Sequence, residues 1–101
     1  QYKQNRQKRN FNNALYMKWR RGVFSRDGFV CQFPGCCGKS LNAHHIKRYA
    51  HHPELRYKVN NGITLCVAHH KMTFKNEENY ERLFTYIVSM KSKNVKNKRN
   101  V

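Results

Sequence analysis

"LNAHHIKRY" (residues 41–49) and "LCVAHHKMTF" (65–74) each set two histidines side by side in a short apolar stretch, and the second carries a cysteine just upstream of its pair. The chain has six histidines, and these two stretches hold four of them. "LNAHHI" has the length and apolar content of a short strand. "GITLC" (62–66) reads as a second strand with Ile63 and Leu65 on one face. "VAHHKMTFK" follows as a short helix. The segment between the strands, "KRYAHHPELRYKVNN", reads as a loop, because Pro53 and the paired asparagines break any period. Two strands and a helix around two histidine pairs predict a small α+β domain.

Helices are expected on both sides of this unit. Upstream, Leu15, Trp19 and Val23 recur every four residues with Phe24 beside the last, which predicts a helix over 12–25 capped by Asn12 or Asn13. Gly22 lies inside it and weakens it, and "RDG" then reads as a turn. Downstream, Asn76 caps a further helix whose first turn holds Glu77 and Glu78, where the helix dipole favours acid. Tyr80, Leu83, Phe84 and Ile87 form its apolar face. The expected organisation is a basic arm over 1–11, a single domain over 12–90, and a basic tail over 91–101 that is disordered on its own.

The 101-residue chain carries 21 Lys and Arg against five Asp and Glu, a formal net charge of +16. A compact domain so charged repels itself, and a polyanion relieves that repulsion. No run of 18 apolar residues exists, so no membrane span is expected. The start is polar apart from Tyr2 and has no signal-peptide pattern, which predicts a reducing, cytoplasmic setting. The chain begins at Gln1, as a processed product or a fragment of a longer protein would.

A domain of this size buries a modest core and commonly needs a staple. Cys31 and Cys36 flank a Pro-Gly turn, and Cys66 and His69 sit at a strand-to-helix junction about thirty residues later. Two such knuckles can enclose one tetrahedral zinc. Cys37 is left over, either a bystander or a substitute for Cys36. Buried free thiols are the alternative.

If His69 joins the zinc, His70 is available for another task. His44 and His45 are neighbours on a strand, so their side chains point to opposite faces and do different work. Phosphodiester hydrolysis needs such a division: a general base for the attacking water, and a metal to stabilise the leaving oxygen.

Through "WRRGVFSRDGFVCQFPGC", "LNAHHI", "HPELRYKVNNGITLC" and "CVAHHK", the chain resembles the HNH endonucleases of the ββα-metal (His-Me finger) fold, with phage and intron-associated members most similar. The resemblance covers roughly residues 19–74. It implies a ββα-metal domain with a structural zinc held by Cys31, Cys36, Cys66 and His69. It implies His45 as general base, Asn61 as the residue that braces the loop and orients that base, and His44 and His70 as ligands of a catalytic divalent metal. His69 stands where cysteine is more usual, and the first knuckle is longer than the common spacing. With two imidazole ligands, Mn²⁺ or Ni²⁺ is expected to serve at least as well as Mg²⁺, with Zn²⁺ a further candidate. Phage packaging proteins are among the partners such a source implies.

The basic residues expected on double-stranded DNA are Arg6, Arg9, Lys18, Arg20, Arg21, Lys47 and Arg56, holding phosphates rather than reading bases. Arg56 alternatively is a plain surface arginine. His51 and His52 are read as solvated loop residues, and Trp19 and Phe24 as core packing. The expected activity is metal-dependent hydrolysis of DNA, by a monomer or weak dimer, with single-strand nicking as the elementary event. A non-catalytic zinc-dependent DNA-binding module and an RNA-directed nuclease are the alternatives.

Overall fold

The computed structural model describes residues 13–36, 38 and 40–100, with side chains as far as Lys91. The basic arm, Asn12, Cys37 and the tail side chains beyond Lys91 lie outside the described residues. The fold is α+β: helix α1 (Ala14–Arg26), strand β1 (Leu41–His45), single 3₁₀ turns at Pro53–Leu55 and Val59–Asn61, strand β2 (Gly62–Cys66), helix α2 (Val67–Met72) and helix α3 (Glu77–Asn100). No described helix is long and apolar enough to cross a membrane.

Asn13 caps α1, its Oδ1 accepting from the Leu15 and Tyr16 N–H groups at 2.7 and 3.2 Å. Trp19, Val23 and Phe24 are buried, as their spacing predicts, but Leu15 is 56% exposed. A period assigns residues to a face; it does not say where along that face the covering partner stops. Gly22 leaves the helix unbroken and serves packing: a Cβ there would lie 2.9 Å from Val59 Cγ2.

The strands pair antiparallel, with Leu41 opposite Cys66, His44 opposite Ile63 and His45 opposite Gly62. All five β2 residues are buried, because both faces of the strand are covered. Ile63 and Leu65 pack with Phe84 and Val88 of α3. Gly62 faces α1, where a Cβ would lie 2.4 Å from Val23 Cγ2 and 2.7 Å from Trp19 Cζ2. Paired residues share a face, so this register sends His44 toward α3 and His45 toward α1.

Tyr80, Phe84 and Ile87 of α3 meet the core as expected. Leu83 turns partly outward at 36% exposure, and Val88, which the sequence left out, is buried in its place. The backbone of α3 runs to Asn100, ten residues past the expected domain end at residue 90.

The Asp27 side chain is the main polar element of the core. Its two oxygens accept from Arg26 Nε and Nη2 at 2.8 Å each, and Oδ2 also accepts from the Thr64 N–H at 2.9 Å. Arg26 in turn donates to the Val59 and Gly62 carbonyls at 2.9 and 2.7 Å. The pair ties the end of α1 to the middle of β2. Sequence reading saw only a turn here.

Candidate functional site

The cysteine set converges. Donor atoms of Cys31, Cys36, Cys66 and His69 all lie within 4.8 Å of one another. Cys36 Sγ is 3.6 Å from Cys66 Sγ, and His69 Nδ1 is 3.3 Å from Cys66 Sγ and 3.7 Å from Cys31 Sγ. With zinc–sulfur bonds of about 2.3 Å, the edge of a tetrahedron is about 3.8 Å, so these separations suit one ion. The 3.6 Å sulfur gap is far beyond the ~2.05 Å of a disulfide, and all three cysteines are free thiols. These four residues can hold zinc.

Local structure places them. Cys66 ends β2 and caps α2, its Sγ accepting from the His69 N–H at 3.5 Å. That N–H is the chief influence drawing the Cys66 thiol down to about 7; burial opposes it, while the Cys36 and Cys31 thiols and the His69 ring assist. On Cys36 the Gly38 N–H, at 3.1 Å, is the strongest single influence and pulls downward. Burial and the Cys31 and Cys66 thiols together outweigh it and push Cys36 up to about 11. Three sulfurs this close resist becoming thiolates together unless a cation sits among them. Gly38 went unnoticed in the sequence, yet a Cβ there would stand 2.7 Å from Cys66 Sγ. Phe33 stacks on the His69 ring at 4.2 Å and fixes its plane.

His69 and His70 are successive residues of α2, so their side chains diverge by about 100°. His69 joins the sulfurs, and His70 meets His44, with ring centres 5.5 Å apart at 74°. Both line a cleft of about 250 Å³ with His45, Arg48, Thr73 and Glu77. His44 is 6% exposed. Burial first, then the neighbouring His70 and His45, hold its imidazole down to about 3, so it is neutral. Among the described residues its Nε2 has no hydrogen-bond partner. A buried nitrogen left so costs about 1–3 kcal/mol, and a metal ion would relieve that cost. Metal–nitrogen bonds of about 2.1 Å hold two adjacent imidazole centres roughly 4.6–5.3 Å apart, and the observed 5.5 Å lies just beyond the upper end of that range.

His45 lies on the opposite face of β1. Its ring stacks on Trp19, with centroids 3.9 Å apart and planes 9° from parallel. Its Nε2 is 2.9 Å from the Arg56 carbonyl. A carbonyl only accepts, so Nε2 carries a proton, and in the neutral ring the lone pair is on Nδ1.

Asn61 is 6% exposed. Its Oδ1 accepts from the Lys47 N–H at 2.8 Å, and its Nδ2 donates to the Lys47 and Leu55 carbonyls at 3.1 and 3.3 Å. It thereby braces both ends of loop 47–55. It reaches His45 through that loop, whose continuation carries the Arg56 carbonyl.

The expected DNA contacts separate into groups. Lys18 and Arg21 are exposed on α1. Arg20 lies over the Phe24 ring at 4.5 Å. Lys47 pairs with Glu81 of α3. Arg56 donates from Nε to the Tyr49 carbonyl at 2.7 Å and covers the Tyr49 ring at 4.3 Å, so it is part of the loop's own packing. Arg6 and Arg9 lie outside the described residues. Arg48 and Glu77, which the sequence did not mark as site residues, both line the histidine cleft. Arg48 follows His45 by three residues, the signal that could have found it. His52 Nδ1 lies 3.5 Å from Glu54, a surface contact in keeping with a solvated loop.

No protein-family model, curated protein or solved structure matches the chain.

Proposed function

We propose that the chain is a metal-dependent endonuclease of the HNH, ββα-metal type, hydrolysing phosphodiester bonds in double-stranded DNA. The observation that carries the proposal is the division of labour across β1. His44 faces His70 in a cleft with an orphaned ring nitrogen. His45, one residue on, lies on the other face and is held as the tautomer with its lone pair on Nδ1. A core built only to bind DNA gains nothing from a buried imidazole without a partner.

In this mechanism His45 Nδ1 takes the proton from the attacking water. Arg56 keeps the ring in the correct tautomer through its carbonyl, and Asn61 fixes the loop that bears it. His44 and His70 would hold the divalent ion. When bound, that ion supplies Lewis-acid stabilisation of the leaving 3′ oxygen. Glu77 adds an oxygen donor to the lining of the cleft, which brings Mg²⁺ and Mn²⁺ within its chemistry beside Ni²⁺ and Zn²⁺. The zinc set holds β2 and α2 together at the point where His70 departs. Lys18 and Arg21 supply phosphate contacts, and Arg48 supplies one at the cleft. A monomer suffices for a nick; a double-strand break calls for a second active site.

The test is cleavage of supercoiled plasmid with Mg²⁺, Mn²⁺ or Ni²⁺ by wild type and by His45→Ala, with zinc content measured in both. Nicking by wild type, and its loss in a zinc-loaded His45→Ala variant, is expected. A wild type that binds DNA and cuts nothing with any metal would replace the nuclease with a zinc-dependent DNA-binding module. Equimolar RNA and DNA substrates in competition test the choice of polymer.

A further inference from the structure

We infer that Trp19 is a positioning residue for His45, acting as the wall that fixes the plane of the imidazole while it takes a proton. The inference rests on the nuclease proposal above and adds to it a residue that sequence analysis treats as core packing. The imidazole torsion χ2 is broad and roughly two-fold, so a flat neighbour packed against the ring face narrows the planes open to it. The Arg56 carbonyl, which can only accept, settles that Nε2 carries a proton. The parallel indole bounds the plane of the ring from one side, at 3.9 Å and 9°. The Tyr49 ring, its centre 5.2 Å from the imidazole centre and its plane at 74° to it, limits the ring further.

The wall is itself fixed. Trp19 is 1% exposed. Its Nε1–H donates to the Lys58 carbonyl at 2.8 Å, in the segment between Arg56 and Asn61. Gly62, opposite His45 in the sheet, leaves the indole its room: a Cβ there would lie 2.7 Å from Cζ2 and 3.1 Å from Cε2. Indole, base and bracing loop are therefore one packed unit. A general base works within a window of about 2.6–3.2 Å from its water, and a misplacement near 1 Å costs on the order of 10²-fold in rate.

Wild type, Trp19→Phe and Trp19→Leu are to be compared for single-turnover nicking rate, DNA affinity, zinc content and the NMR shifts of the His45 ring protons. An indole stacked at this distance shifts those protons upfield, a signature that requires no turnover. The leucine variant is expected to lose the upfield shift and at least about tenfold in rate, with DNA affinity and zinc content unchanged. The phenylalanine variant, still planar, keeps the shift and a rate within a few-fold of wild type. Should the leucine variant fail to load zinc, Trp19→Met takes its place, filling more of the volume without a plane. A non-planar variant that nicks at the wild-type rate overturns the inference, as does a phenylalanine variant that loses as much as leucine. A wild type that fails to nick with Mg²⁺, Mn²⁺ and Ni²⁺ alike overturns the nuclease proposal and the inference together, whereas the variant outcomes above, with an active wild type, overturn the inference alone.

Discussion

Replacing Asp27 by alanine tests whether one buried acid holds the sheet that carries the histidines. Asp27 is 3% exposed and its carboxylate takes three N–H donors, two from Arg26 and one from Thr64. Its removal leaves the Thr64 N–H without an acceptor in a fully buried strand, at a cost of about 1–3 kcal/mol. It also leaves the Arg26 side chain, 11% exposed, with carbonyl partners only. Breaking a buried pair by deleting one partner costs about 3–5 kcal/mol in all. Arg26 keeps the Val59 and Gly62 carbonyls, so the lower end, about 3 kcal/mol, is expected. At about 4–8 °C per kcal/mol for a domain of this size, the melting midpoint falls by roughly 12–24 °C. Urea unfolding of the zinc-loaded protein, followed by circular dichroism, measures the loss. Glu54→Ala, on the exposed loop, serves as control and stays within about 0.5 kcal/mol. Asp27→Asn retains an oxygen for the Thr64 N–H and falls between the two. Thr64 pairs with Ala43, the neighbour of His44, so nicking also weakens in the alanine variant. A loss below about 1 kcal/mol would refute the reasoning and reduce the pair to a surface contact.

A strong chelator is expected to unfold the domain, because a structural zinc is worth about 10–16 kcal/mol and a whole domain only about 5–15; unchanged circular dichroism in the zinc-free protein would count against a structural role. Gly38→Ala, whose Cβ would lie 2.5 Å from Cys66 Cβ, lowers zinc affinity in competition with a chromophoric chelator. Asn61→Ala leaves backbone groups of Lys47 and Leu55 unpaired, costs about 2 kcal/mol or more, and lowers the nicking rate at unchanged zinc content. Lys18→Ala and Arg21→Ala each reduce the slope of log affinity for DNA against log salt by about one. Lys47→Ala reduces it less, because Glu81 already answers that charge.

The sequence by itself determined the main helices and strands and the convergence of Cys31, Cys36, Cys66 and His69. Those are local properties: strand length in "LNAHHI" and "GITLC", the Pro-Gly turn between Cys31 and Cys36, the cap at Asn13, and alternation along a strand, which sends His44 and His45 to opposite faces. Adjacent residues on a helix likewise parted His69 from His70. Only the tertiary structure decided what each side chain meets. Trp19 is periodic with Val23 whether it packs on aliphatic residues or on His45. Asp27 looks like a turn residue until Thr64, 37 positions away, is brought against it. Lys47 and Arg56 read alike as surface cations, and only the fold sets Glu81 beside one and the Tyr49 ring beneath the other. Gly38 reads as a loop glycine until a sulfur occupies the space of its missing Cβ. Periodicity and spacing are set within a turn or two of chain, whereas hydrogen bonds, stacking and ion pairs across the core depend on which distant segments pack together. Short-range rules carry no term for that choice.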